Sequence, residues 1–375
     1  MCTKEQRQKN VKTAERQWKL LVLLSILTLL LPASTAWART NGEYLYWKQV
    51  GGQVGLKAIH MIRKQVPQFK IDDCLALTNA GYAEINGHST MGTLDGLSRI
   101  LRVSRGDHSL LEMHSASNSP LWFAVYDKES GICVYLEVDP NAIHDNKSFN
   151  ISSLFSTVAT EQINAEHLYE NAAVYAEKFD NKIFNGNEFR IVTVANAMTA
   201  GVSTRAVRAF EFHDHYCPGV TSGIIMADYI EKFFPLDHGG SYFLQSVQPW
   251  CKEDALMVLL NTTPGKKSYA ITYPTEDDIA SWPTWAKDLS TIVYRYDPLS
   301  EIWQGIALEY NWEETGCPDY GHSVMNKLCT DLWYLDRMDQ PENFVTILKN
   351  FELPPKVHPK EYARPDVDPV FLLNF

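Results

Sequence analysis

Between Phe210 and Ile230 the chain reads FEFHDHYCPGVTSGIIMADYI, and this stretch restricts the fold more than any other. Pro218 has no N–H and a fixed φ, which suits the first position of a helix and few other places in a packed chain. Cys217 then falls at the N-cap. There the free N–H groups and the helix dipole favour a thiolate. Upstream, His213, His215 and Cys217 stand at alternate positions. In an extended backbone alternate side chains share one side, so two imidazoles and a thiol are expected to converge at the mouth of a helix running from Gly219 to Phe234.

Cys251 looks similarly placed, ahead of Lys252-Glu253-Asp254 and an apolar helix. Together His213, His215, Cys217 and Cys251 form a candidate site for zinc or another divalent transition metal. Three ligands with an open place would be catalytic geometry, and four closed ligands structural geometry. Each residue has an alternative. His213 could orient the other imidazole rather than bind, Cys251 could pair with Cys217 in a disulfide, and Asp254 could support a ligand histidine or merely satisfy the first turn of its helix. If the chain is an enzyme, the catalytic candidates are Cys217, His213 and Asp254, with His213 or Asp254 carrying the proton in metal-assisted chemistry.

Further candidates have weaker signals. Lys266 and Lys267 follow Thr263-Pro264-Gly265, a turn that either receives an anionic group of a cofactor or substrate or simply joins helix to strand. Trp282 and Trp285 flank Pro283 and are read either as walls of a ligand cleft or as core. Cys317 and Cys329, with His322 between them, suit a loop-closing disulfide better than a second metal point. Cys74 and Cys133 have apolar neighbours and are expected to be buried thiols or a bridge.

The first 38 residues differ in kind. Six basic residues from Lys4 to Lys19 precede the run LLVLLSILTLLL, and Ala36 and Ala38 suit an A-x-A-like cleavage. That pattern is a signal peptide, with an uncleaved anchor as the alternative, and it implies a periplasmic or secreted location. Its removal takes away six basic and two acidic residues, moving the formal charge from -11 to -15. Nothing in the remainder forms a basic stripe, so nucleic acid is not an expected partner. No phosphate loop, haem CxxCH or nucleophile-elbow serine occurs. The expected partners are a metal ion and a small-molecule or metal-cofactor ligand, with a homodimer as one arrangement.

The 375 residues, 45% of them hydrophobic, are enough for two domains. Aligning INGHSTMGTLDG (Ile85 to Gly96) with FHDHYCPGVTSG (Phe212 to Gly223) superimposes His88 on His215 and two pairs of glycines. With a similar order of helix and strand signals in each half, this suggests an internal duplication: 39–160 as a degenerate half, 161–353 as the half bearing the motif, and 354–375 as a surface arm. Within these, RIVTVANAM reads as a strand and TEQINAEHLYENAAVYAEKF as a helix. His88 and His114 would add ligands if the halves faced each other.

The run His213-x-His215-x-Cys217-Pro218-Gly219, with Gly223 after it, resembles the signature of the FmdE family, named for a gene beside the molybdenum formylmethanofuran dehydrogenase genes of methanogens. A second block agrees: Cys251, Asp254-Ala255, then Thr263-Pro264-Gly265-Lys266-Lys267. The resemblance implies an α+β fold, read here as two FmdE-like halves with mixed or antiparallel sheets flanked by helices, and a metal site. Some family members add a zinc finger of paired cysteines; here only the isolated Cys317 and Cys329 occupy that region. The reading is therefore an exported FmdE-like metal-binding protein, zinc being the first choice of ion, with a metal-dependent enzyme of unspecified substrate included. The alternatives are a periplasmic carrier of metal or metal-cofactor and a redox protein using Cys217 and Cys251.

Overall fold

The computed structural model describes residues 42–144, 148–149 and 151–373. The expected leader, 1–38, lies outside them, and no helix among the described residues is long and apolar enough to cross a membrane.

The fold is α+β. A helix over 42–65 (α1) buries Val50, Val54, Ala58 and Ile62, a stripe at helical spacing. After it come β1 (Cys74–Thr78), the hairpin β2 (Glu84–Ile85) and β3 (His88–Ser89), α2 (Gly92–Leu101), β4 (Leu110–Glu112), β5 (Trp122–Asp127) and β6 (Ile132–Val138). A second small hairpin, β7 (Ile143–His144) and β8 (Ser148–Phe149), leads to β9 (Phe155–Gln162). The first sheet runs β4-β1-β5-β6-β9, with β4 parallel to β1 and every other pairing antiparallel. Its central strands are buried along their whole length because both faces are covered. α1 and α2 pack on one face, and α3 (Ala165–Glu170), α4 (Ala172–Asp180), α5 (Glu188–Thr199) and α6 (Thr204–His213) on the other.

The second sheet is built from later elements: α7 (Pro218–Phe233), β10 (Ser241–Val247), α8 (Lys252–Leu259), β11 (Tyr269–Thr272), α9 (Glu276–Ser281), β12 (Thr291–Asp297), β13 (Ile302–Tyr310), α10 (Ser323–Leu335), β14 (Val345–Glu352) and α11 (Pro369–Leu372). Its order is β11-β10-β12-β13-β14, again with one parallel pair, β10 and β11, and the rest antiparallel. Strand for strand, order and sense match the first sheet. In each, one helix precedes the first strand and a second connects it to its parallel neighbour. α7, α8 and α10 cover one face. Against the other face lie Trp282 and the C-terminal residues Tyr362, Val370 and Leu373, all buried, so the tail lies on this sheet.

Three local expectations change. Arg190 to Met198 is not a strand but most of α5, whose Ile191, Val192, Val194, Ala195 and Ala197 are all buried. A helix buried on most sides loses its periodic signal, and an apolar β-branched run then looks like a central strand. Thr160 to Gln162 belong to β9, and α3 begins only at Ala165. Finally, His88 stands ahead of α2, which links two sheet strands, whereas residues 213–217 stand ahead of α7, which precedes its sheet. The letters shared by the two segments do not occupy matching places in the topology.

Candidate metal centre

The site is assembled where α6 ends and where α7 and α8 begin. Ser203 caps α6 by accepting a bond from the Ala206 N–H, and His213 is its last residue. The chain then reverses at Asp214, which adopts a left-handed φ of 74°. Cys217 is the extended N-cap of α7, with Pro218 in the first turn as the sequence implied. The intervening Tyr216 is wholly buried and donates to Met338 Sδ at 3.7 Å, pinning the segment from behind. Cys251 is the N-cap of α8. His213, His215, Cys217 and Cys251 therefore do converge, each offering one donor atom within 4.8 Å of the others. Convergence comes from a helix end, a left-handed turn and two helix starts, not from strand alternation.

Close approach of α7 and α8 makes this geometry achievable. A Cβ at Gly219 would lie 2.8 Å from Cys251 Cβ and 3.3 Å from its Sγ, and one at Gly223 would lie 2.4 Å from the Lys252 carbonyl oxygen. Only hydrogen fits at either position.

Carboxylates hold both imidazoles. His213 Nδ1 lies 2.6 Å from Asp254 Oδ2, and His215 Nδ1 lies 2.7 Å from Asp214 Oδ1. Asp214 is itself gripped by Arg190, whose Nη2 donates to Oδ2 at 2.6 Å and whose Nε donates to the backbone oxygen at 3.0 Å. With Nδ1 committed to a carboxylate, Nε2 of each ring is left as the donor, an arrangement typical of metal-binding histidines. His213 Nε2 is buried and has no hydrogen-bond partner. A buried, unpartnered imidazole nitrogen beside two cysteine sulfurs suits a thiophilic or borderline cation, so the residues present fit a metal.

Charge is distributed to match. Cys217 and the two imidazoles beside it pull the Cys251 thiol down to about 2, while the contact with Cys251 and burial push Cys217 well up. Burial disfavours a charged His213, but the hydrogen bond to Asp254 and the neighbouring Cys251 sulfur outweigh it and raise the ring to about 9. Burial likewise opposes ionisation of Asp214, yet His215 and Arg190 hold it below the usual carboxylate range. Both shifts favour a thiolate on Cys251 and a proton on His213 in the metal-free cluster, and a bound cation would take the place of that proton beside the thiolate.

Other sequence candidates lie elsewhere. Lys266 and Lys267 form an exposed turn between α8 and β11, with the Lys266 ammonium on the Asn261 side chain and Lys267 as its left-handed cap. Trp282 is 3% exposed and donates its indole N–H to Asp368 at 2.8 Å, so it braces the C-terminal tail rather than walling a cleft. Trp285 packs beside it in the same core. His88 faces Glu43 at 3.3 Å, and His114 stacks on Phe212; neither is in the cluster. Cys317 and Cys329 form a disulfide, and His322 caps α10. Cys74 and Cys133 are free and buried, in the cores on opposite faces of the first sheet. Sequence reasoning overlooked Asp214 and Arg190. The former was visible between the two histidines; the latter, 24 residues away, carried no signal.

The FmdE family model matches residues 212–280. Its description is "FmdE, Molybdenum formylmethanofuran dehydrogenase operon". The matched segment opens one residue before His213, contains all four donors, and runs through α7, β10, α8 and β11. No curated protein matches the chain.

Proposed function

We propose that this chain is an exported FmdE-like protein that binds one transition-metal ion, zinc being the best chemical match, through His213, His215, Cys217 and Cys251. The observation that carries the proposal is the convergence of two sulfurs and two imidazoles within 4.8 Å, one imidazole nitrogen being buried without a partner. When bound, the ion supplies Lewis acidity and a template for its ligands. The chain's own part is to hold Cys251 as thiolate at the α8 N-terminus and to fix both rings through Asp254 and Asp214. Four protein donors would leave a four-coordinate ion no open place, which favours holding an ion over turning over a substrate. Carriage of metal is therefore preferred to catalysis, with Asp254 and Asp214 as orienting groups. Partial exposure of His215, at 25% of its side chain, leaves the site an approach from solvent.

Export is supported by the basic and apolar leader over 1–38 and by the Cys317–Cys329 disulfide, since such bonds persist outside reducing compartments. Duplication is supported by the matching order and sense of the two sheets. In that reading α1 corresponds to α7, and a first half without the His/Cys motif serves as scaffold. Elemental analysis of protein from its own compartment, repeated on Cys217→Ser and His215→Ala, tests the function. One metal per chain lost in both variants is expected; a metal-free parent protein removes the proposal.

A further inference from the structure

A site that surrounds its ion with four protein donors holds it well and needs a means of letting go. Its two sulfurs supply one. Cys217 and Cys251 are both free, stand at the N-caps of α7 and α8, and bring their sulfurs within 4.8 Å of each other. A Cβ at Gly219 would lie 3.3 Å from the Cys251 sulfur and 3.8 Å from that of Cys217, so the glycine keeps clear the ground on which the two could join. A disulfide sets its sulfurs about 2.05 Å apart, which leaves this pair less than about 3 Å to close.

The pair is unequal in a way that suits stepwise chemistry. Cys217 is 5% exposed, whereas Cys251 is half-buried and shares the site with His215 and Asp254, whose side chains are 25% and 35% exposed. A small oxidant from solvent therefore meets Cys251 first, while Cys217 is shielded. Among the described residues the other free thiols, Cys74 and Cys133, are buried on opposite faces of the first sheet and are not placed to pair. Cys317 and Cys329 are already joined.

We propose that this pair is an oxidation-triggered release switch, in which a hydroperoxide joins Cys217 to Cys251 and the metal leaves. The inference rests on the metal reading above and adds its regulation. The Cys251 sulfur takes the terminal oxygen of the hydroperoxide as the O–O bond breaks, giving a sulfenic acid and an alcohol, or water when the oxidant is hydrogen peroxide. The Cys217 sulfur then displaces that oxygen as water, and the S–S bond forms. The two sulfurs lose two electrons in all and the peroxide gains them; if both begin as thiolates, two protons come from solvent. Of the four donors, the imidazoles of His213 and His215 alone then remain, still held by Asp254 and Asp214. Hydrogen peroxide is uncharged, so the chain's net charge of -11 does not keep it out.

The test takes the full chain with Cys217 and Cys251 reduced, loads it with one equivalent of zinc under argon, and exposes it to hydrogen peroxide. A chromophoric chelator reads zinc release, and peptide mapping without reductant reads the new bond. Loss of the zinc in step with a Cys217–Cys251 disulfide is expected, with zinc binding recovered after dithiothreitol. In metal-free Cys217→Ser the sulfenic acid on Cys251 should persist and be captured by dimedone, whereas metal-free Cys251→Ser should carry no such label on Cys217. Should either variant lose the circular dichroism of the parent, mapping of the parent alone decides. Zinc retained with both thiols intact, zinc released with the two cysteines oxidised separately, or dimedone on Cys217 rather than Cys251 would each overturn the switch. A reduced chain that takes up no zinc would instead overturn the metal reading on which the switch rests, so the two failures are distinct.

Discussion

Gly219→Ala is the sharpest perturbation of the candidate metal centre, because it replaces no donor and alters no charge. The new Cβ would lie 2.8 Å from Cys251 Cβ and 3.3 Å from its Sγ. Ordinary carbon contacts lie at about 3.5–4.0 Å, so Cys251 must withdraw by about 1 Å, or α7 and α8 must part by as much. Metal–ligand distances tolerate only about 0.2 Å, so one of the four donors is lost or strained. Metal affinity should fall by about 100-fold, comparable to the strongest effects of disturbing groups that support a ligand. Stability of the metal-free protein should change by no more than this. Overpacking costs about 1–3 kcal/mol, and the better helix propensity of alanine offsets up to about 1 kcal/mol of it. Affinity is read by competition with a chromophoric chelator, stability by urea unfolding of the stripped protein. Gly265→Ala is the control, since a Cβ there would meet only Thr263 Oγ1 at 4.0 Å. A Gly219→Ala protein that binds metal as tightly as the parent would refute the claim that the α7–α8 contact places Cys251 in the site.

Further outcomes follow from the same geometry. Asp254→Asn and Asp214→Asn should each lower metal affinity by about 10–100-fold while leaving one ion per chain at saturation, measured by the same competition. Apparent affinity should rise with pH through about 9 and above, because metal must displace the proton on His213, whose pKa is raised to about 9, and the proton on Cys217, whose thiol is pushed higher still; proton release on binding, followed by a pH indicator in weak buffer, checks it. In the metal-free protein the His213 contribution to stability is complete below the unfolded histidine value and is lost as pH climbs through about 9, whereas the Cys251 contribution declines as pH falls towards about 2. Metal-free stability should therefore increase from acid to neutral pH and then level, as urea midpoints across pH will show. Trp282→Phe should lose about 1–3 kcal/mol through the bond to Asp368 and the space left in the core, with metal affinity unaltered.

The donors were legible in sequence because their signals are local. Pro218 after Cys217 announces a helix start, and three ligating side chains in five residues are hard to explain by packing alone. The means of convergence was not legible. Whether His213 closes a helix or sits in a strand depends on the left-handed turn at Asp214, and that turn is held by Arg190 from a distant helix. The same limit produced the error at Arg190 to Met198. Burial from several sides erased the helical period, and only the tertiary arrangement recovers it. Trp282 and Trp250 show the limit for aromatic residues. Their sequence surroundings are alike in polarity, yet one lies beneath the C-terminal tail and the other faces solvent. The equivalence of the two sheets is a property of strand order and sense, which no alignment of short His- and Gly-containing segments could register.

X-ray absorption at the metal edge, on protein purified with its native ion, tests the central claim most directly. The account predicts one ion whose nearest neighbours are two sulfurs and two nitrogens, the sulfur contribution falling in Cys217→Ser. A shell of oxygen and nitrogen alone, or protein that carries no ion and joins Cys217 to Cys251 in a disulfide, would contradict it.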